Sequence, residues 1–125
     1  MTVTLRPARP TDAGTVGAIL SEFIDTTDWM PRVHTRAEDV AHAAMLIDRG
    51  WVTVAERDGV VGFIARDGNE IHALYLAGPA RRQGIGAQLL GDAQARADRL
   101  ALWTFAANGG AQRFYERAGF RAVDG

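Results

Sequence analysis

From Trp51 onward the apolar residues change from helical to extended spacing, and two turns divide the chain into β-rich runs. The first turn contains Asp58-Gly59, a pair in which both residues tolerate positive φ and which is typical of a tight hairpin. The second turn contains Asp67-Gly68-Asn69. This pattern predicts three consecutive antiparallel strands, a meander, at residues 51–56, 60–65 and 70–76.

A short strand and two helices are predicted before the meander. Residues 3–6 alternate apolar and polar side chains and run into Pro7, as a strand ended by proline does. The second helix begins at Thr35, which forms a capping-box pattern with Glu38, and ends near Gly50. The first helix is defined by its cap, Thr11 or Asp12, and by an apolar face of Val16, Ile19, Leu20 and Phe23.

Two further helices and two strands are predicted after the meander. The third helix of the chain occupies residues 84–97, and a buried strand follows at residues 100–105. A short helix occupies residues 110–117, with Gly119 as its C-terminal cap before a last strand that begins at Phe120. The order β-α-α-β-β-β-α-β-α-β predicts an α/β fold of the α+β type, with helices packed on a mixed, mostly antiparallel sheet.

Composition limits the classes of protein to which the chain can belong. Its 125 residues suffice for one domain, residues 1–125, with its own core. Fourteen basic and fifteen acidic residues give a net charge of -1, so no nucleic-acid or membrane partner is expected. No cysteine and three scattered histidines indicate no metal site. With no leader and no long apolar run, a cytoplasmic location is expected.

The strongest chemical signal is the succession of a strand, a basic glycine-containing turn and a helix start at residues 74–90. Unpaired N–H groups and a partial positive charge at a helix N-terminus attract anions, and glycines let a phosphate approach the backbone. The structural alternative is that Gly84 and Gly86 only turn the chain and pack the helix on the sheet. Neither a P-loop nor a dinucleotide-binding pattern is present.

The spacing Arg81-x-x-Gly84-x-Gly86 after an apolar strand resembles the acetyl-coenzyme A (acetyl-CoA) motif of the GNAT N-acetyltransferase superfamily. Downstream, Asn108 and the run Phe114-Tyr115-Glu116-Arg117-Ala118-Gly119-Phe120 resemble the second signature of that superfamily. The predicted elements also agree, so the resemblance extends over nearly the whole chain. It implies an enzyme that moves an acetyl group from acetyl-CoA to a primary amine of a small molecule or peptide by direct attack.

The resemblance also implies where acetyl-CoA would bind. Main-chain N–H groups of the turn would hold the pyrophosphate, and the turn arginines would add positive charge. The backbone of the preceding strand would pair with the pantetheine arm and polarise the thioester carbonyl. Asn108 would bond to the pantetheine or cap a helix. The residues expected to bind this cosubstrate are Leu74, Tyr75, Leu76, Arg81, Arg82, Gln83, Gly84, Ile85, Gly86, Ala87 and Asn108.

Three residues are candidates for proton transfer. By resemblance Tyr115 would protonate the leaving thiolate, because a phenol of pKa about 10 is a suitable donor to sulfur; otherwise it is an aromatic packed on the sheet. Glu70 or His72 would deprotonate the attacking amine, directly or through water, unless both are solvated residues at a strand start. Strand alternation predicts one shared face for Glu70, His72, Leu74 and Leu76.

The acceptor site of the family draws on the connection between the first two helices, here residues 25–35. Trp29, Met30, Arg32 and His34 would line an apolar wall with a few polar groups. The alternative is that Trp29 and Met30 close the core beneath an irregular loop.

The chain departs from the family pattern after Phe120, where relatives usually continue through two strands and this chain has room for one. An exposed sheet edge readily recruits a strand, so a homodimer that completes this edge is expected. The main alternative function is a non-catalytic acyl-CoA-binding regulatory module, which would keep the glycine turn and lack turnover.

Overall fold

The computed structural model describes residues 2–27, 34–102 and 109–121. The strands in these ranges are β1 at Thr4–Pro7, β2 at Val52–Glu56, β3 at Val60–Asp67 and β4 at Glu70–Leu76. They form one antiparallel sheet in the order β1-β2-β3-β4. The succession of β2, β3 and β4 confirms the predicted meander, and the N-terminal strand adds to it by pairing with β2.

The backbone of the β2–β3 hairpin has the conformation that its sequence predicted. Asp58 has φ 55 and Gly59 has φ 108, and the Arg57 N–H donates to the Gly59 carbonyl at 2.9 Å. Positive φ at both central residues matches the right-handed twist of the flanking strands. The hairpin therefore brings Arg57 to the end of the sheet at which β4 also ends.

The described helices are α1 at Ala13–Asp25, α2 at Arg36–Asp48, α3 at Ile85–Arg96 and α4 at Gly109–Arg117. Apolar residues of α1 and α2 pack on one face of the sheet, and those of α3 and α4 pack on the other. The two faces of the sheet therefore each carry an apolar cluster. None of these described helices is long and apolar enough to cross a membrane.

The first apolar cluster lies between the sheet and the helices α1 and α2. Its buried members are Val16, Ile19, Ala43, Leu46, Ile47, Val52, Val54, Phe63 and Ala65. The second lies between the sheet and α3, and its buried members are Ala55, Ile64, Ile71, Ala80, Ile85, Leu89, Leu90 and Ala93. Val16 and Ile19 confirm the predicted core face of the first helix, while Leu20 and Phe23 are half-buried.

The predicted capping box of α2 is confirmed, and the N-cap position of α1 is occupied by Asp12, one of the two predicted residues. The Glu38 N–H donates to Thr35 Oγ1 at 3.1 Å, and the Thr35 N–H donates to Glu38 Oε1 at 2.9 Å. Asp12 precedes α1 but makes no side-chain cap bond to it. Its carboxylate instead accepts from Arg6 Nη1 at 2.8 Å and from the Arg9 N–H at 2.7 Å. The Arg6 bond holds the pKa of Asp12 below its usual range.

The predicted strand at residues 100–105 is described only at its start. Ala101 forms a parallel bridge with Glu70, in which the Ile71 N–H donates to the Ala101 carbonyl at 2.9 Å. This parallel contact gives the sheet the mixed character that the sequence predicted. Residues 103–108, and residues 122–125 of the predicted last strand, lie outside the described residues. Gly119, with φ 98, ends α4 as predicted.

Candidate active site

The turn between β4 and α3 leaves the sheet through two residues of left-handed conformation. The Ala77 N–H still donates to the Val61 carbonyl at 2.8 Å, and a short 3₁₀ turn follows at Gly78–Ala80. Arg82 then has φ 64, and Gly84, the N-cap of α3, has φ 80. Glycine is favoured at this cap because a Cβ atom would strain a left-handed backbone.

The main-chain N–H groups of residues 82–87 make no hydrogen bond within the described parts of the chain. The first bond of α3 runs from the Gln88 N–H to the Gly84 carbonyl at 3.1 Å. Successive N–H groups around left-handed residues converge and bind anions, and the helix N-terminus adds partial positive charge. The predicted residues Gln83, Gly84, Ile85, Gly86 and Ala87 therefore offer a set of donors to an anionic group.

The two arginines of the turn have different surroundings. Arg81 Nε donates to the Leu76 carbonyl at 3.3 Å, and its Nη2 lies 3.6 Å from Glu22 Oε1. Arg82 is exposed, and its guanidinium has no hydrogen-bond or ion-pair partner in the described ranges. Arg82 can therefore approach an anion on the turn without breaking a contact within those ranges, whereas Arg81 already holds the end of β4.

Two residues distant in sequence complete this turn, and neither was predicted from the sequence. Glu22 of α1 accepts the Gly78 N–H through Oε1 at 2.6 Å. Arg57 donates from Nη1 to Gln83 Oε1 at 2.5 Å, and Gln83 Nε2 donates to the Pro79 carbonyl at 2.8 Å. The pairing of the meander was a usable signal for Arg57, because it places the first hairpin beside the end of β4. Glu22 had no such signal.

The outer side of β4 presents main-chain groups of only some of its residues. Because the Ala77 N–H faces β3, alternation turns the backbone groups of Tyr75 toward β3 and those of Leu74 and Leu76 away from it. In the described residues, β4 is paired on its outer side only at its beginning. Of the predicted backbone contacts, Leu74 and Leu76 thus turn away from β3, where the Leu76 carbonyl accepts from Arg81 Nε, while the backbone of Tyr75 pairs within the sheet.

A bulge interrupts β4 at His72. Ala65 pairs with Ala73 and Arg66 pairs with Ile71, so His72 is an extra residue without a partner position on β3. An extra residue shifts the side-chain alternation by one position. Residues on either side of the bulge therefore no longer follow a simple period of two.

The bulge makes the predicted shared face wrong. Leu74 and Leu76 pack against the second cluster, which also contains Ile71. His72 instead stacks on Trp51, with ring centroids 5.0 Å apart and planes 7° from parallel, and Trp51 packs against the first cluster. The imidazole is exposed and held against this ring, two residues after Glu70, where β4 bridges to Ala101.

Tyr115 lies on α4 among other aromatic rings. Its ring centroid is 5.1 Å from that of Phe114 and 5.5 Å from that of Phe120. Burial, with a contribution from the charge of Tyr75, raises the pKa of Tyr115 to about 12. The hydroxyl makes no hydrogen bond to a described residue, and no described side-chain oxygen is both fully buried and unbonded. Tyr115 is therefore a neutral phenol whose hydroxyl keeps contact with solvent.

Helix α4 packs where β4 ends and α3 begins. A Cβ atom at Gly86 would lie 3.6 Å from Phe114 Cζ and 3.7 Å from Leu76 Cδ1. Tyr115 belongs to the same apolar cluster as Leu74, Leu76 and Phe114. The structure thus brings together the glycine turn, the outer edge of β4 and the helix that carries Tyr115.

The predicted acceptor residues are only partly described. His34 is exposed before α2, and its Nδ1 lies 3.6 Å from Glu38 Oε2. Trp29, Met30 and Arg32, like the cosubstrate candidate Asn108, lie outside the described residues. Within the described ranges, no three His, Cys, Asp or Glu side chains are grouped closely enough to hold a metal ion.

A cleft of about 470 Å³ lies between α1 and α2, beside the glycine turn. Its lining is formed by Ala18, Ser21, Glu22, Asp25, Thr26, Arg36 and Val40. Asp25 Oδ2 is 2.7 Å from Arg36 Nη2, and Glu22 is the residue that also bonds the turn. Glu22 therefore joins the lining of this cleft to the predicted pyrophosphate turn.

A family model described as an acetyltransferase (GNAT) domain matches residues 30–125. The chain belongs to the GNAT acetyltransferase family. The match confirms both the resemblance drawn from the two sequence motifs and the prediction that the chain is an acetyltransferase. The roles of its individual side chains stay predictions.

Known acetyltransferases resemble this GNAT domain along nearly its whole length. The peptidyl-lysine N-acetyltransferase YjaB of Escherichia coli K12 is 29% identical over 125 residues, which cover 98% of this chain and 85% of YjaB. The solution structure of apo-form YjaB has a TM-score of 0.81 at 24% identity, with 98% of this chain and 85% of that chain covered.

A second solved structure has the same fold. It is the PaiA N-acetyltransferase of Thermoplasma acidophilum in complex with coenzyme A, with a TM-score of 0.84 at 20% identity. The superposition covers 100% of this chain and 93% of that one. These likenesses confirm the predicted α+β fold class of the GNAT acetyltransferase.

Proposed function

We propose that this GNAT domain transfers the acetyl group of acetyl-CoA to the ε-amine of peptidyl lysine by direct attack on the thioester. The observation that carries the proposal is the row of N–H groups at residues 82–87, at the start of α3, which make no hydrogen bond to any described residue. A diphosphate needs several donors at one place, and a helix N-terminus supplies them together with a favourable dipole. The coenzyme A complex of PaiA, which shares the fold, supports the choice of donor.

The donor would extend from the glycine turn along β4. The pyrophosphate would accept from the N–H groups of residues 82–87, with Arg82 adding charge from solvent. The pantetheine arm would pair with the outward backbone groups of Leu74 and Leu76. One of these N–H groups would then face the thioester carbonyl and stabilise the negative charge that develops on its oxygen during attack.

Tyr115 would complete the transfer as general acid. As the amine nitrogen bonds to the acetyl carbon, the carbon–sulfur bond breaks and the electron pair stays on sulfur. The Tyr115 hydroxyl would give its proton to that sulfur, the nitrogen would lose its extra proton to solvent as the amide forms, and the phenolate would take a proton from solvent. The raised pKa keeps the phenol protonated at physiological pH, and a thiol of pKa about 8.5 needs only a weak acid to leave.

The attacking amine must first lose a proton, because an ammonium has no free electron pair. We assign this step to His72 in preference to Glu70. The bulge turns His72 toward Trp51, and stacking on Trp51 holds its exposed ring. Imidazoles as a class exchange protons near neutral pH, directly or through water. Glu70 lies at the paired start of the strand, beside Ala101.

Peptidyl lysine is the acceptor class favoured by the relatives. YjaB carries that activity in its name and is similar to this chain over nearly the whole length of both proteins. The cleft between α1 and α2, with Glu22 and Asp25 in its wall, would receive the peptide. The roles of Trp29, Met30 and His34 as acceptor contacts are part of the proposal. Residues 1–125 would act as one domain in the cytoplasm, where the absence of cysteine fits a reducing compartment.

The test is an acetylation assay with acetyl-CoA and a panel of lysine peptides, small amines and buffer alone. All fourteen Lys and Arg residues of this sequence are arginines, so ε-acetyl-lysine found after the reaction comes from the acceptor. We expect coenzyme A release and peptide acetylation in equal amounts. Saturable donor binding without amine-dependent release would instead indicate the acyl-CoA-binding regulatory module. Turnover with small amines alone would show that the acceptor is a small amine and not a peptide.

The proposal also includes pairing of two copies through a sheet edge. In the described residues the outer side of β1 is unpaired, and unpaired outer strands recruit partners. Sedimentation should give twice the mass of the chain at micromolar concentration. A monomeric mass would remove the dimer from the proposal and leave the acetyl transfer untouched.

A further inference from the structure

Arg57 is placed at the glycine turn by tertiary structure. It lies at the end of β2, and its Nη1 donates to Gln83 Oε1 at 2.5 Å. Gln83 is itself fixed, because its Nε2 donates to the Pro79 carbonyl at 2.8 Å. The guanidinium therefore has a defined position next to the row of unbonded N–H groups.

The charge of Arg57 is not neutralised by a neighbouring acid. Within the described ranges no carboxylate lies within ion-pair distance of its guanidinium, whereas Arg6, Arg36, Arg81 and Arg96 each have one. Only one of its five N–H donors is used by Gln83. A half-buried, positioned arginine with free donors is the group that proteins use to bind a phosphate in two-point fashion.

The guanidinium contacts the turn through the Gln83 side chain. A phosphate that accepts from the main-chain N–H groups of residues 82–87 would lie against the backbone, whereas the free donors of Arg57 lie at the end of that side chain. The N–H groups suit the diphosphate, so Arg57 suits a separate phosphate carried beside it. Coenzyme A has such a group, a phosphate on the 3′ oxygen of its ribose.

We propose that Arg57 binds the 3′-phosphate of the acyl donor and makes this acetyltransferase select coenzyme A over dephospho-coenzyme A. Gln83 acts as the positioning residue that holds the guanidinium in place. The inference rests on the proposed donor site, and it adds a contact from the β2–β3 hairpin that neither the glycine motif nor the family match assigns.

The experiment compares the binding of coenzyme A and dephospho-coenzyme A by calorimetry at low and moderate salt. The proteins are the wild type, Arg57→Gln and a matched control, Arg66→Gln. Arg66 lies at the far end of β3 and bonds the Gly68 carbonyl at 2.6 Å, so its loss makes the same change in net charge away from the turn. Unchanged melting temperatures check that each variant is folded.

We expect Arg57→Gln to weaken coenzyme A binding about tenfold, as for the loss of a charge-assisted bond in a partly exposed setting, and to leave dephospho-coenzyme A nearly unchanged. Arg66→Gln should change neither ligand more than twofold. Gln83→Ala should reduce the preference for coenzyme A while retaining the charge. Salt should weaken coenzyme A binding more in the wild type than in Arg57→Gln.

Three outcomes would overturn the inference. If Arg57→Gln loses the same affinity for both ligands, Arg57 contacts the diphosphate, and if it loses none, Arg57 does not contact the donor. If Arg57→Gln and Arg66→Gln weaken binding equally, the effect of Arg57 is only that of long-range charge. Absence of wild-type binding to either ligand would instead contradict the proposed function itself.

Discussion

The chemistry of transfer depends most on one phenol. Tyr115 belongs to the apolar cluster under α3, which explains why its pKa is raised to about 12. A phenol that resists ionisation is available as an acid at every pH at which the protein would work. The structure also keeps its hydroxyl unbonded to the described residues, so a leaving thiolate would not have to compete for it.

Tyr115→Phe should separate transfer from donor binding. The substitution removes the proton donor and keeps the ring that packs with Phe114 and Phe120. We expect kcat to fall about 100-fold or more, because general acid catalysis accelerates reactions by factors of this order. The Kd for coenzyme A should change less than twofold. Steady-state kinetics and calorimetry measure the two quantities. An unchanged kcat would show that sulfur leaves without this acid.

The same tyrosine predicts how stability depends on alkaline pH. The pKa of Tyr115 is raised from 10.0 to about 12, so between these values the unfolded chain loses a proton that the folded chain keeps. The unfolded state then binds fewer protons, and the free energy of unfolding falls as pH rises. The contribution is complete below pH 10 and lost by about pH 12.

Urea unfolding between pH 8 and pH 11.5 tests this dependence. Phenylalanine cannot ionise, so the stability of Tyr115→Phe relative to the wild type should rise across this range by about 1–3 kcal/mol. A difference between the two proteins that is the same at every pH would show that the phenol titrates alike in both states.

At the scale of elements, the junction of β4 and α3 shows what the sequence predicts well and what it does not. The strand, the turn and the helix were predicted within a residue or two, because hydrophobic periodicity and turn glycines are local signals. The bulge at His72 was missed, since an extra residue depends on pairing with β3 and leaves the same local pattern. The prediction that Glu70 and His72 share a face with Leu74 and Leu76 was therefore wrong.

Gly84→Ala tests the conformation of the turn. The residue has φ 80, and no atom lies within 4 Å of a Cβ built there, so the effect is one of backbone strain alone. We expect a loss of about 1–2 kcal/mol of stability and about tenfold weaker coenzyme A binding, as the N–H groups turn away from their common centre.

Gly91→Ala is the matched control for that substitution. Gly91 lies inside α3, equally open to a Cβ atom, but in a helical conformation. Alanine should raise stability there by about 0.5–1 kcal/mol and leave coenzyme A binding unchanged. Thermal melts and calorimetry of both variants provide the comparison. If Gly84→Ala and Gly91→Ala changed stability and coenzyme A binding alike, the left-handed conformation of Gly84 would have no special role.

Glu22 tests how α1 is coupled to the turn. Glu22→Gln keeps an oxygen to accept the Gly78 N–H and removes a charge 3.6 Å from Arg81, whereas Glu22→Ala removes both. We expect the glutamine variant to bind coenzyme A as tightly as the wild type or a fewfold more tightly, and the alanine variant more weakly. Identical affinities of the two variants would show that the bond to Gly78 does not shape the turn.

At the scale of the whole molecule, the family was predictable because its two motifs are short and local, and the match over residues 30–125 confirmed it. The long-range contacts were not predictable. Arg57 and Glu22 reach the turn from a hairpin and a helix that precede it by more than twenty residues. Such contacts depend on how the helices pack on the sheet, and a single sequence constrains this packing weakly. The predicted roles of Trp29, Met30 and Asn108 stay predictions.

The central claim is that the main-chain N–H groups of residues 82–87 bind the diphosphate of the acyl donor. Titration of ¹⁵N-labelled protein with coenzyme A, followed through amide chemical shifts, tests it most directly. We predict saturable binding of one ligand per chain, with the largest shifts at residues 82–87 and further shifts at Leu74 and Leu76. Saturable binding whose largest shifts lie elsewhere, with residues 82–87 unmoved, would contradict the claim.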